Sequence, residues 1–471
     1  MTKYFKPKTI LVVVGFLPLL LSAQNTTTSS EFTLQGAIDY ASKHNTSYKN
    51  AELDIKLAEY KNREVIGMGL PQVNASVDLK DYLKIPTSIL PNFVSPSVAA
   101  VLMQNGLMPY DKSALDPASY PSIAAQFGTK YNLTAGASVS QLIFSSDYII
   151  GLQAAKEFKT LSQKSLTRTK TETAVVVTKA YYSALINRER VKTLSANIER
   201  IKKLYDDTKA LNEAGFVEKI DKDRLELTYN NLLAEKEKVD RLIGLSEIVL
   251  KFQMGYPLQD SIKLTDELKA EQFQDIELAS TIKVKYELRS EFSLLESQKH
   301  INELDLKRYR LSYLPTLVGY GAFNYQAQRT KFNFLDKHAN WYPIAVIGAT
   351  LNIPIFSGGQ KYYRTQQAKL NLQKTINTMD YMKSVIDFET TAASINYKNA
   401  YANIQTQIKN KELAKSIYET SKKKYEAGVG SSLELINAET SLKEAETNYL
   451  SAVYDLIIAK IDLDKAQGNI K

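Results

Sequence analysis

From Gln72 the chain alternates apolar and polar residues. Val73, Ala75, Val77 and Leu79 fall on one parity, and Gln72, Asn74, Ser76, Asp78 and Lys80 on the other. A period of two predicts a strand with one apolar and one polar face. The pattern returns at Tyr131, Leu133, Ala135, Ala137 and Val139, then at Leu317, Gly319, Gly321, Phe323 and Tyr325, and again at Trp341, Ala345, Ile347, Ala349, Leu351, Ile353 and Ile355. Four strands are therefore expected. Between and after them the period is helical. Leu34 to Val65 reads as one amphipathic helix stopped at Leu70-Pro71, and a second runs from about Ser280 to Leu311, stopped at Leu314-Pro315.

Proline placement sets the length of the remaining helices. None of the thirteen prolines falls between Ser145 and Tyr256 or between Ser357 and Lys471, and a helix interior does not tolerate the ring. A helix from about Ser145 to Ala214 would be roughly 100 Å long at 1.5 Å per residue; a partner runs from Gly358 to about Ala427. A shorter helix returns after each. In the last one, Leu435, Leu442, Tyr449, Leu456 and Leu463 recur every seven residues, with Ala438, Ala445, Ala452, Ala459 and Ala466 in phase. This heptad predicts close, supercoiled helix packing.

The order occurs twice. Glu213-Ala214-Gly215 matches Glu426-Ala427-Gly428, and Ile143-Phe144-Ser145 matches Ile355-Phe356-Ser357. Units this long exceed solenoid repeats, so the chain is a tandem duplication of helix, strand, strand, long helix and returning helix. The copies differ between their strands, where residues 82–129 carry six prolines (Pro86, Pro91, Pro96, Pro109, Pro117, Pro121) and read as a long loop or cap. Within each copy the two shorter helices sum to the length of the long one and can stack end to end beside it. The strands then lie at one end of a helical column and the Gly turns at the other.

Composition adds the compartment. Lys3, Lys6 and Lys8 precede an apolar run from Ile10 to Leu21 and then Ser22-Ala23-Gln24, the order of a secretory signal peptide cleaved after Ala23. With no cysteine there is no disulfide, thiolate site or lipidated N-terminal Cys. The net charge of +9 falls by three when the signal is removed, and with Lys and Glu interleaved on helix faces it marks solvated surface rather than nucleic-acid binding. No later segment is long and apolar enough for a spanning helix, so any membrane entry is by strands. Four strands cannot close a barrel, because bacterial outer-membrane barrels need at least 8 and open edges in lipid leave backbone groups unpaired. Other copies must complete it: three give twelve strands, two give eight with a side-chain-filled interior. Trp341, Tyr342, Tyr131 and Tyr325 suit an interfacial aromatic girdle. A soluble sheet with one wet face alternates identically.

The chain resembles the TolC-type outer membrane efflux protein family. The resemblance spans nearly the whole mature chain and rests on three things: the duplication, Ile353-Pro354-Ile355-Phe356-Ser357-Gly358-Gly359 entering a long helix, and Tyr425-Glu426-Ala427-Gly428 followed by Leu433-Glu434-Leu435-Ile436-Asn437-Ala438. It implies a mainly α protein with a β-barrel, in which a homotrimeric twelve-stranded outer-membrane barrel continues into a long periplasmic α-helical barrel. The expected division is a signal peptide at 1–23, a first repeat at 24–257, an equatorial connector at 258–279 and a second repeat at 280–471. The implied function is the exit duct of a tripartite efflux pump or type I secretion system, carrying small molecules or polypeptides from a periplasmic adaptor and an inner-membrane transporter across the outer membrane. Glu434 and Asn437 match the family's constriction positions, with Asp221 and Arg224 as first-copy equivalents. Near helix N-termini, acids are also favoured by the dipole alone. Gly215-Phe216-Val217 and Gly428-Val429-Gly430 would be the tips an adaptor grips, and each is also a plausible helix cap.

No cofactor, metal or enzymatic activity is expected, since His44, His300 and His338 are scattered without ligand spacing. The rival reading is a soluble periplasmic coiled-coil tether or scaffold, which leaves the four strands unexplained.

Overall fold

The computed structural model describes residues 30–268, 285–336, 338 and 340–470. The expected signal peptide and residues 269–279 of the expected connector lie outside them. In chain order the elements are β1 (Ser30–Phe32), α1 (Leu34–His44), α2 (Thr46–Met68), β2 (Gln72–Asp81), β3 (Thr87–Leu90), α3 (Val94–Gln104), β4 (Ile123–Gln126), β5 (Tyr131–Phe144), α4 (Ser146–Glu213), α5 (Lys219–Met254), β6 (Ile262–Leu264), α6 (Ser290–Leu311), β7 (Thr316–Arg329), β8 (Tyr342–Asn352), α7 (Gln360–Glu426) and α8 (Ser432–Gln467).

The proline-free stretches are the two long rods, α4 with 68 residues and α7 with 67. Each is flanked along its length by two shorter pieces: α1–α2 and α5 lie against α4, α6 and α8 against α7. The helix expected over Leu34 to Val65 is two helices. Asn45 is extended (φ −61°, ψ 131°), and its side-chain oxygen accepts from the Ser47 and Tyr48 N–H groups at 2.8 and 3.4 Å, capping α2. Its amide also donates to the Gln253 carbonyl at 2.8 Å, tying the break to the end of α5. Of the helix expected from about Ser280, residues 280–284 lie outside the described residues; α6 begins at Ser290, after Arg289 in extended backbone (φ −82°, ψ 121°).

The stacking junctions are built alike in both repeats. Gly255 ends α5 in the left-handed conformation (φ 69°), and a Cβ there would sit 2.7 Å from the His44 carbonyl oxygen. Gly468 ends α8 in the same way (φ 73°), and its Cβ would fall 2.9 Å from the Leu288 carbonyl oxygen. Glycine is the residue that both closes the helix and lets the next segment abut it. Beside the first junction, β1 and β6 pair in parallel, bringing Phe32, Ile262 and Leu264 into a core with Ala37, Ala41, Tyr181, Leu250 and Met254.

The heptad reading of α8 holds. Leu435, Leu442, Leu456 and Leu463 are buried, as are all five seam alanines, and Tyr449 is half-buried. Each fully buried Leu contributes about 1.5–3 kcal/mol of transfer free energy, so this one stripe anchors the second repeat.

The four expected strands form one antiparallel sheet in the order β2-β5-β7-β8. The register stacks the apolar parities on one face. Val73 pairs with Val139, which pairs with Gly321 and then Ile347; Val77, Ala135, Tyr325 and Pro343 make another such row. The other face carries Asn74, Ser76 and Asp78 beside Ser138, Gly136 and Thr134, then Asn324 and Gln326. Tyr131 and Tyr325 share the apolar face. Tyr342, opposite Gln326, has the reverse parity, and Trp341 lies just outside β8, so the expected aromatic group of four is divided.

Residues 82–129 are not a loop. They hold the β3–β4 hairpin, in register from Thr87–Gln126 to Leu90–Ile123, the helix α3 and two short 3-10 turns at Ser113–Leu115 and Pro117–Ser119. Pro96 stands in the first turn of α3, where its missing N–H would have no helical acceptor.

Candidate functional site

The end of the helical column remote from the sheet carries both Gly turns. At the first, the Phe216 N–H donates to the Leu211 carbonyl at 2.9 Å and that of Gly215 to Asn212 at 3.0 Å. At the second, Val429 donates to Lys424 at 3.0 Å and Gly428 to Tyr425 at 2.9 Å. Both are Schellman closures, so the cap reading holds for each. They also present apolar side chains to solvent: Phe216 is 78 % exposed and Val429 81 %. Val217 is half-buried, its carbonyl accepting from the Asn212 amide at 2.8 Å. Gly430 is pinned against the helix, where a Cβ would approach the Lys424 Cβ at 3.0 Å.

Of the four candidate constriction residues, two are brought together. The Asp221 carboxylate accepts from the Ser432 hydroxyl at the start of α8 and lies 3.7 Å from the Arg224 guanidinium, so it joins the first hairpin to the second. Glu434 turns elsewhere. Its backbone N–H is capped by the Ser431 hydroxyl at 3.1 Å, and its carboxylate meets Lys424 of its own hairpin at 3.1 Å. The reading of Glu434 as an acid at a helix N-terminus is therefore correct as far as it goes, but the acid has a cation beside it. Asn437 is exposed on α8.

Three links between the hairpins escaped sequence reasoning. Thr208 on α4, fully buried, shares a 2.9 Å hydrogen bond with the Tyr425 hydroxyl on α7. Lys443 on α8 pairs with Glu235 on α5. Farther from the tips, Arg200 of α4 reaches Glu439 at 3.3 Å and Glu446 at 3.6 Å on α8, donates to Asn197, and lies over the Tyr418 ring of α7 at 5.7 Å. Glu439 is 3 % exposed, and Oε2 of both Glu439 and Glu446 is buried without a hydrogen bond among the described residues, that of Glu446 lying 3.6 Å from Arg200. Burial pushes the Glu439 carboxyl up, opposed by Arg200 and aided by Glu446. Burial, with the charge of Glu439, pushes the Tyr418 hydroxyl up to about 12. Two carboxylates thus share one guanidinium at the α4–α8 contact. A signal existed: Glu439 and Glu446 each follow a seam alanine, Ala438 and Ala445, one heptad apart. Between the tips lies a cleft of about 750 Å³ walled by Arg200, Lys203, Tyr418, Lys422, Tyr425 and Phe216.

Residues 305–469, within the expected second repeat, match the family model described as "Outer membrane efflux protein". The chain is 20 % identical over 343 residues to "Outer membrane protein TolC" of Vibrio cholerae, covering 72 % of this chain and 77 % of that protein. It is also 20 % identical over 312 residues to "Alkaline protease secretion protein AprF" of Pseudomonas aeruginosa, covering 65 % and 62 %. Among solved structures, the outer membrane protein VceC of Vibrio cholerae superposes with a TM-score of 0.67 at 14 % identity, over 92 % of this chain and 96 % of that one. The Campylobacter jejuni CmeC outer membrane channel does so with a TM-score of 0.68 at 16 % identity, over 92 % and 85 %. The resemblance drawn from sequence therefore holds: the mostly helical fold is that of the TolC-type channels, and the place is the outer membrane with a periplasmic extension.

Proposed function

We propose that this chain, a relative of the TolC-type outer membrane efflux proteins, is one of three identical subunits of an exit duct for an efflux pump or type I secretion system. The observation that carries the proposal is the sheet. It has a continuous apolar face and two outer strands, β2 and β8, exposed along nearly their whole length. Membranes admit strands only as closed barrels, and strand directions alternate across β2-β5-β7-β8, so β8 of one copy can meet β2 of the next antiparallel without breaking the pattern. Three copies give twelve strands. Ten-residue β2, at about 3.4 Å per residue and a tilt of about 40°, rises roughly 26 Å, which matches the ~25 Å apolar band of such barrels.

The face carrying Asn74, Ser76, Thr134 and Asn324, with Ile344 and Val346 on β8, then lines the lumen, and the helical rods continue it into the periplasm. At the far end, Gly215, Phe216, Val217, Gly428, Val429 and Gly430 form the surface offered to a periplasmic adaptor, which couples the duct to an inner-membrane transporter. Asp221 and Arg224 fasten the two hairpins, and Glu434 and Asn437 face the constriction. Because Lys424 pairs with Glu434, such a ring is less acidic than Glu434 alone suggests; exposed pairs of this kind are worth about 0–1 kcal/mol, so the cation moves readily. The tether reading gives the apolar face of the sheet no role.

The test is reconstitution. Purified from outer membranes in detergent, the protein should run as a heat-modifiable trimer and form pores in planar bilayers. A monomer that washes off membranes with salt and conducts nothing defeats the proposal.

A further inference from the structure

We infer that α3 is a gasket: in the assembled duct, the α3 helices of the copies pack on one another and narrow the outer mouth. The inference rests on the trimeric-barrel reading above. From Ile85 to Tyr110 the chain has no charged residue, and the whole 82–129 insert is neutral, with Lys84 and Lys112 against Asp111 and Asp116. Within it α3 is apolar on both sides. Pro96 and Ala99 are buried against the rest of the insert, while Val94, Val98 and Val101 form an i, i+4, i+7 stripe that is 52, 53 and 56 % exposed. Phe93 and Leu107 extend the stripe at its two ends. Apart from Ser95, Ser97 and Gln104 the helix is apolar, and an exposed apolar stripe of this kind marks a contact surface.

Position and size select the occupant. The Tyr82 N–H donates to the Lys130 carbonyl at 2.8 Å, prolonging the β2–β5 ladder directly into the insert. Since β2 is an outer strand of the sheet, the insert stands at the seam where one copy meets the next, at the end of the barrel remote from the helices. A twelve-stranded barrel at ~4.8 Å strand spacing and ~40° tilt is about 24 Å across. An 11-residue helix is about 16 Å long and 10–12 Å thick, so three of them side by side fill an opening of that width. Because the insert is neutral, gathering three copies there brings no net repulsion. The ligand of the valine stripe is thus the same stripe on the other two copies.

The chain has no cysteine, so Val98→Cys supplies a single thiol in the full protein. In outer membranes, an oxidant should convert it to covalently joined subunit pairs, a membrane-impermeant maleimide should label it poorly, and oxidation should lower single-channel conductance. Replacing residues 85–126 by a short turn should raise conductance several-fold. The double variant Val98→Asp, Val101→Asp, which leaves the buried side of α3 intact, should raise it too, should the shortened chain fail to assemble. Full maleimide labelling with no cross-link and unchanged conductance overturns the gasket. Quenching of a fluorophore on Val98→Cys by spin-labelled lipid, without cross-linking, overturns it in favour of the bilayer; a cross-link to a different protein overturns it in favour of a surface partner. If the unaltered chain forms neither trimer nor pore, it is the barrel reading that has failed.

Discussion

Gly255→Ala and Gly428→Ala impose the same backbone strain at two places that differ in their surroundings. Both glycines are left-handed (φ 69° and 75°), and an L side chain there costs about 1–2 kcal/mol. At Gly428 nothing among the described residues lies within 4 Å of the added Cβ, so the cost ends there. At Gly255 the Cβ meets the His44 carbonyl oxygen at 2.7 Å, its carbon at 2.9 Å and the Asn45 nitrogen at 3.0 Å. These are backbone atoms held by the Asn45 cap and cannot rotate away, and forced overpacking of this kind adds about 1–3 kcal/mol. The totals are about 2–5 kcal/mol for Gly255→Ala against about 1–2 for Gly428→Ala. At 1.4 kcal/mol per decade, hydrogen exchange should accelerate roughly thirty- to several-thousandfold over residues 40–46 and 252–256 in the first variant. Around residues 424–430 of the second it should rise about five- to thirtyfold. Asparagine separates the two contributions, since it tolerates the left-handed region but keeps a Cβ. Gly428→Asn should be close to neutral and Gly255→Asn should remain defective. Equal effects of Ala at the two sites, or rescue of Gly255 by Asn, would refute the stacked-junction argument.

Other substitutions test the remaining contacts. The raised folded-state pKa of Glu439 means that ionising it opposes folding: the penalty is absent below the ordinary value of 4.5 and accumulates as pH rises towards the folded value. Glu439→Gln should therefore flatten that part of the stability profile in thermal melts from pH 4 to 8, and a profile parallel to the unaltered protein's would dismiss Glu439 as its source. Tyr425→Phe leaves the buried Thr208 hydroxyl without its partner, a loss of about 1–3 kcal/mol; bilayer recordings should show more frequent opening, and unchanged gating would mean that this link does not hold the hairpins. On the sheet, Val77→Lys puts a cation in the apolar face at about 2–4 kcal/mol near mid-bilayer and should reduce the yield of trimer, whereas Ser76→Lys, one residue away on the polar face, should assemble normally. Equal yields by native electrophoresis would reverse the assignment of faces.

What the sequence disclosed was periodic. The valines of β2 and the leucines and alanines of α8 repeat over many positions, so no single deviation obscures the period, and register followed once the parities were aligned. What it hid was local or distant. Asn45 looks like one polar residue in an amphipathic run; it breaks the helix because a carbonyl of α5, more than two hundred residues away, receives its amide. Six prolines suggest a loop, but Pro96 sits where a helix accepts it, Pro117 opens a 3-10 turn, and Pro86 and Pro91 flank β3. Residue type groups Tyr342 with Tyr325, and only the pairing with Gln326 shows its opposite parity. The links at Thr208 and Arg200 join residues over two hundred positions apart, and nothing in either segment alone announces its partner.

The two free borders of the sheet have a consequence for inheritance. A subunit whose β8 border is spoiled, for example by a proline, still offers a sound β2 to a normal neighbour and so can enter an assembly it is unable to close. Such a chain acts as a terminator. Under the proposed threefold closure it sequesters healthy copies, and the lesion behaves as dominant. A lesion that prevents folding altogether recruits nobody and stays recessive.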